Sequence, residues 1–253
     1  MYPFETWLSR AQEHLEKTGR PLVSLSYAQS LDGSLSDQPG KVFGISGPQS
    51  LALTHQLRSL HEAILVGVGT VLVDDPRLTA RLSIEKEQSA SRTHIQPRPI
   101  VVDSGLRTPP TARLIQAAEK TPWIAAVAPL PADRREALHT AGAEILLLPA
   151  DEHGNVSLPD LLACLGQRGI SSLMVEGGAR ILQSFLQQHL ADQVIVTIAP
   201  IYLGGIPIIE PWQRSIQTPL RLAEVGCQLF GEDIVLWGQL NPWHQTIDEG
   251  NLG

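Results

Sequence analysis

A chain of 253 residues, 43% hydrophobic and 18% charged, has the composition of a globular protein with a sizeable core. Its net charge of −7 excludes a general nucleic-acid or anionic-membrane binder, so an anionic ligand has to be held by a few placed cations. Cys164 and Cys227 stand far apart with no metal-ligand spacing, so neither a disulfide framework nor a metal is expected. No apolar run is long enough to span a bilayer and the N-terminus shows no signal-peptide pattern, so a cytoplasmic protein is expected.

In chain order, Phe4, Trp7, Leu8, Ala11 and Leu15 recur at helical spacing until Gly19, which predicts an amphipathic N-terminal helix over 4–18. A first strand over 21–28 follows, then a helix over 50–60 and a short apolar strand over 63–66 ending at Gly67. Further strands are expected over 99–103, 123–128, 144–148 and 172–175, with helices over 132–140, 158–165 and 179–190 between or after them. Short, fully apolar strands alternating with helices predict an α/β fold, a mostly parallel central sheet with helices on both faces. The chain then changes character: a β-rich segment over 194–198 precedes runs over 226–229 and 234–237 around Phe230-Gly231-Glu232-Asp233, a C-terminal antiparallel hairpin. The polar stretch 85–96 reads as a surface loop and not as a boundary, so one domain is expected, with a core over 21–238 and a tail over 241–253.

Two strand ends carry glycine-rich turns. In Val66-Gly67-Val68-Gly69-Thr70, glycines let the backbone approach a ligand and Thr70 offers a hydroxyl; a tight strand-to-helix turn without a ligand is the alternative. In Val175-Glu176-Gly177-Gly178-Ala179, the free N–H groups and dipole of a helix N-terminus make a ready phosphate site, and Glu176 can accept from a polar ligand group or remain a solvated carboxylate. Neither matches G-x-G-x-x-G, so the site is not of the standard Rossmann type.

Polar residues gather around these turns. Arg58 precedes the first glycine loop and Asp74-Asp75-Pro76-Arg77-Leu78-Thr79-Ala80-Arg81 follows it; Asp75, before a proline, is expected to be extended. Arg58 and Arg81 are candidates to hold a phosphate ester bidentately, or else ordinary surface residues. Ser104 and Arg107, after the strand over 99–103, are candidates for the 2′-phosphate of NADP, a simple β-turn being the alternative, and strand alternation turns Asp103 away from Ser104.

With these residues assembled, the chain resembles the pyrimidine reductase domain of riboflavin biosynthesis, a dihydrofolate-reductase-like family. The matching runs are Ser30-Leu31-Asp32-Gly33, Ile45-Ser46, Leu57-Arg58, the first glycine loop with Val71-Leu72 and Asp74-Asp75-Pro76, Leu78-Thr79, the residues before Ser104, the second glycine turn, and Ala199-Pro200 with Leu203-Gly204-Gly205. The resemblance implies NADPH contacts at Thr70, Asp74, Ser104, Gly177, Gly178 and Ala179, with Arg107 added from its position. It implies contacts to 5-amino-6-(5-phosphoribosylamino)uracil at Arg58, Leu78, Arg81 and Glu176, and reduction of its ribosyl group to a ribityl chain by hydride transfer; a reductase of the related diaminopyrimidine or of a pterin on the same fold, and a non-catalytic nucleotide-binding paralogue, are the alternatives. Asp74 and Glu176 are the candidate acids for the accompanying proton. A homodimer is also implied. Two departures stand out. The H-x-E and P-C-x-x-C pattern of a deaminase is missing, so a separate deaminase protein is expected in the pathway. Relatives often carry Trp before the Ile-Ser pair, where this chain has Gly44 preceded by Phe43; a strand-face argument sets Phe43 opposite the usual aromatic.

Overall fold

The computed structural model describes residues 3–41, 43–82, 96–208 and 220–242. Its centre is a nine-stranded sheet in the order β10-β11-β8-β1-β7-β3-β4-β5-β6. The strands are β1 (Leu22–Gln29), β3 (Ala63–Gly67), β4 (Arg98–Val102), β5 (Trp123–Ala126), β6 (Glu144–Leu147), β7 (Ser172–Gly177), β8 (Gln193–Ile198), β10 (Leu220–Phe230) and β11 (Asp233–Pro242). From β8 across to β6 every pair is parallel. The antiparallel pairs are β11 with β8 and β10 with β11, the expected hairpin. A small antiparallel pair, β2 (Ser34–Ser36) with β9 (Ile206–Pro207), lies beside it.

Connectivity explains why helices cover both faces. The chain moves outward from β1 to β3, β4, β5 and β6 through α3 (Pro48–Leu60), α4 (Val68–Asp74), α5 (Arg113–Gln116) and α6 (Ala132–Thr140). It then returns through α7 (Leu158–Gln167) to β7 and through α8 (Ala179–Gln187) to β8. Right-handed crossovers that reverse direction put their helices on the opposite face. Accordingly Leu53 and Leu57 of α3 pack with Ile64, Val101 and Met174 in one buried cluster. Leu161 and Leu165 of α7 and Phe185 of α8 pack with Val23, Leu65 and Val175 in the other. Strand alternation assigns each side chain its face: Leu173 and Val175 point toward α7 and α8, while Met174, and with it Glu176, points toward α3.

Several expectations need correction. The N-terminal helix is two helices, α1 (Pro3–Leu8) and α2 (Ala11–Thr18). The Ser9 hydroxyl donates to the Thr6 carbonyl at 2.6 Å and the chain turns at Arg10. The break lets Phe4 and Trp7 enter the α3-side core, Phe4 edge-on to Trp237 at 5.8 Å, while Leu8 and Ala11 pack on Leu22. The first glycine loop is the tight strand-to-helix turn of the two alternatives: α4 starts directly after Gly67, and a Cβ on Gly67 would stand 2.7 Å from Ile181 Cγ1. Glycine is needed at 67 so that the end of β3 can lie against α8. Asp75 is not extended but left-handed (φ 39, ψ 56): its N–H donates back to Val71 O as it caps α4, a conformation short polar side chains tolerate. Its Oδ1 accepts from the Arg113 N–H at 2.8 Å. Residues 43–47 are not in a strand, so the strand-face reading of Phe43 has no basis; Phe43 is exposed. Most of the expected surface loop over 85–96 and of the tail over 241–253 lies outside the described residues. Among the described residues no helix is long and apolar enough to cross a membrane.

Candidate functional site

At the carboxyl ends of β3 and β7, which are neighbours in the sheet, the chain leaves to opposite faces, into α4 and α8. Such a switch point opens a crevice in a parallel sheet, the usual place for a ligand. Thr70, in the first turn of α4, and Gly178, the N-cap of α8, meet across it: the Gly178 N–H donates to Thr70 Oγ1 at 2.8 Å. Gly177 takes φ +142, a conformation few L-residues adopt, to make the turn. A Cβ at Gly178 would come within 3.2 Å of Thr70 Oγ1, so the bare backbone leaves a shallow cradle before the α8 N-terminus.

The second part of the site lies on the α3 face. Glu176, near the end of β7, accepts both guanidinium branches of Arg58, Nε and Nη2, at 2.6 Å each. Both side chains are largely buried, and Arg58 Nη1 donates to Thr79 O at 3.1 Å. Arg58 is therefore committed to Glu176, and Glu176 has both oxygens occupied as acceptors. His55, one turn earlier on the same face of α3, is 7% exposed. Burial, reinforced by the Arg58 and Arg81 charges, pulls its pKa down to about 4, so the ring is neutral. Arg81 lies against it, with Nη2 3.1 Å from His55 Nε2 and the backbone N–H 3.3 Å from Nδ1. Arg81 is itself exposed, and Arg58, Arg77 and Arg113 all push on its charge. Asp74, at the exposed end of α4, has its carboxyl raised above the ordinary value by partial burial.

The remaining candidates are placed as follows. Leu78 is 1% exposed and packs in the α3-side core with φ 52, so its side chain is unavailable to a ligand and only its backbone remains for a contact. Ser104 Oγ accepts from the Val156 N–H at 3.1 Å, and Arg107 is exposed, its Nε 3.9 Å from Asp103 Oδ1. Asp103 is fully buried and its Oδ2 accepts from the Thr108 N–H and hydroxyl, which keeps its charge bound within the loop. The sequence reading gave Asp32 no role. Its carboxylate accepts from the Ser30 and Ser34 hydroxyls and from the Leu203 and Gly204 N–H groups, and these bonds, the Ser30 hydroxyl first, hold it well below the ordinary value. One carboxylate thus ties together two motifs some 170 residues apart. His55 is likewise not among the site residues named from the sequence, though its spacing of three from Arg58 was the available signal.

The RibD C-terminal domain model matches residues 21–236, which include the crevice, the Arg58–Glu176 pair and Arg81. The chain belongs to this family, the pyrimidine reductases of riboflavin biosynthesis. It is 36% identical over 188 residues to the 2,5-diamino-6-ribosylamino-4(3H)-pyrimidinone 5′-phosphate reductase of Archaeoglobus fulgidus, covering 74% of this chain and 83% of that one. It is 34% identical to the riboflavin biosynthesis protein RibD of Aquifex aeolicus, covering 86% of this chain but 57% of that protein. Among solved structures, Acinetobacter baumannii RibD superposes with a TM-score of 0.75 at 26% identity, over 94% of this chain and 63% of that one. The fold is shared with the riboflavin biosynthesis reductase Rib7 of Saccharomyces cerevisiae, at a TM-score of 0.69 over 95% of this chain and 100% of that one, with 24% identity. A family of reductases with this fold implies a nicotinamide cofactor. The Gly177–Gly178 turn fits one: it is a cradle that a single added Cβ would crowd, at a helix N-terminus suited to phosphate.

Proposed function

We propose that the chain catalyses NADPH-dependent reduction of 5-amino-6-(5-phosphoribosylamino)uracil to its ribityl form. The observation that carries this reading is the Thr70–Gly178 crevice beside the Arg58–Glu176 pair, together with the exposed Arg81, which has no carboxylate partner among the described residues. When bound, the cofactor supplies the hydride. The Ala179 N–H at the α8 N-terminus would receive its pyrophosphate beside Thr70, whose hydroxyl already holds the Gly178 N–H, and Ser104 and Arg107 would receive the 2′-phosphate. Arg81 takes the substrate phosphate. Glu176, oriented by Arg58, accepts from substrate hydroxyl or N–H groups, because its oxygens retain lone pairs beyond those used by the guanidinium. Asp74 donates the proton to the departing ring oxygen: its raised carboxyl holds a proton to higher pH than an ordinary aspartate, and Glu176 could donate only by breaking its ion pair.

A second reading takes the 2,5-diaminopyrimidine as substrate. It is favoured by relatives bearing that reductase name, 36% identical in both Archaeoglobus fulgidus and Debaryomyces hansenii. The active assembly in either reading is a homodimer, supported by exposed Leu229 and Ile234, cross-strand neighbours on the hairpin at the open sheet edge. NADPH oxidation measured with each pyrimidine, with NADH as the control cofactor, tests the proposal. Turnover of one pyrimidine identifies the substrate, and cofactor binding without turnover of either refutes the reductase reading.

A further inference from the structure

Arg81 is a long, exposed side chain in a region of like charge. Partial burial first, and then the Arg58, Arg77 and Arg113 charges, lower its affinity for its own proton, and among the described residues no carboxylate pairs with it. Left to electrostatics alone, its guanidinium would swing away from Arg58 into solvent. What lies against it instead is a neutral ring. His55 is nearly buried, and its Nε2 faces Arg81 Nη2 at 3.1 Å and Nε at 3.4 Å. A neutral imidazole carries one acceptor nitrogen, so it cannot accept from both the guanidinium and the Arg81 N–H, which lies 3.3 Å from Nδ1. Nε2 lies against two guanidinium nitrogens and Nδ1 against one backbone N–H, so the tautomer with its proton on Nδ1 leaves Nε2 as the acceptor for the guanidinium. The charged groups facing the ring are Arg58, Arg81 and Glu176; two cations against one anion, together with burial, keep it in the accepting form.

We infer that His55 is a positioning residue: its neutral imidazole accepts from Arg81 and aims the guanidinium at the substrate's anionic group. An acidic residue at this position would neutralise Arg81, as Glu176 neutralises Arg58, and leave no charge for a phosphate. A neutral acceptor orients the cation and leaves its charge unspent. The inference rests on the proposed reading of Arg81 as the phosphate contact.

The test is steady-state kinetics on the phosphorylated pyrimidine and its dephosphorylated counterpart, using wild type, Arg81→Ala, His55→Leu, His55→Gln and the Arg81→Ala/His55→Leu double variant. His55→Leu is expected to raise KM for the phosphorylated compound about tenfold with little change in kcat, as for loss of one charge-assisted contact. The dephosphorylated compound should be unaffected, His55→Gln should recover most of the loss through its side-chain carbonyl, and the double variant should be no worse than Arg81→Ala. Equal penalties on both compounds for His55→Leu, or additive effects in the double variant, overturn the inference. If Arg81→Ala is selective for the phosphorylated compound while folded His55→Leu is silent, the inference fails alone. If Arg81→Ala penalises both compounds equally, the phosphate reading fails and takes the inference with it. Should His55→Leu not fold, nitrogen NMR of the wild-type His55 ring during titration with inorganic phosphate decides: a shift of the accepting nitrogen supports the link to Arg81, and no shift overturns it.

Discussion

His61 makes the stability of this protein depend on acid in a way that can be worked out. It is fully buried at the end of α3, with Nδ1 2.7 Å from the Leu57 carbonyl and Nε2 2.8 Å from Ser24 Oγ, which also accepts from Gln193 Nε2 at 2.5 Å. A carbonyl only accepts, so Nδ1 carries the proton and Nε2 accepts from the Ser24 hydroxyl. The ring thereby satisfies a carbonyl left free at a helix C-terminus and ties α3 to β1 and β8. Burial pulls its pKa down to about 4 from an ordinary 6.5. The folded value lies below the unfolded one, so the unfolded chain binds more protons. The stability that neutral His61 contributes is fully present above pH 6.5 and is lost as the pH falls through 6.5 toward 4. At ~1.4 kcal/mol per pH unit, the loss between pH 7 and pH 5 is about 2 kcal/mol from this residue. Urea unfolding of wild type and His61→Asn at both pH values measures it. The variant keeps a donor toward Leu57 O and loses the titration, so it should be less stable at pH 7 but lose about 2 kcal/mol less on going to pH 5. His55 and His14, whose values are also lowered, titrate in both proteins and cancel in the difference. Equal pH dependence in the two proteins would refute the reasoning.

Three further outcomes concern the site. Gly178→Val adds branches beyond a Cβ that already stands 3.2 Å from Thr70 Oγ1, so NADPH affinity should fall about tenfold or more by calorimetric titration while the protein stays folded; undiminished affinity removes the turn from the cofactor site. Arg107 is exposed, and Arg107→Ala should weaken NADPH about tenfold and leave NADH unchanged; equal losses place the 2′-phosphate elsewhere. Asp74→Asn should lower kcat by about 10²–10⁴-fold, and wild-type kcat should decline as pH rises through the raised Asp74 value, a decline the variant lacks. A kcat close to wild type would assign the proton to another group.

What the sequence determined by itself is the layered α/β architecture. Burial on both faces demands apolar runs such as Ala63-Ile64-Leu65-Val66, and alternation of such runs with amphipathic helices is visible without coordinates. The hairpin around Gly231 and the strand-to-helix turn at Gly177-Gly178 were legible for the same reason, because local backbone geometry dictates local residue types. Where local propensity is weak, the sequence left alternatives open. Val68-Gly69-Thr70 opens a helix that glycine disfavours, and tertiary packing of Val68 and Val71 overrides the preference. Only the tertiary structure decided which charges remain available. Arg58 and Arg81 look equivalent in sequence, yet Arg58 is spent on Glu176, 118 positions away, while Arg81 rests on a neutral histidine. Leu78 likewise sits among polar residues in sequence and in the core in space. An ion pair depends on where the fold brings two distant side chains and how far it removes them from water, and neither quantity is written in the spacing of the chain.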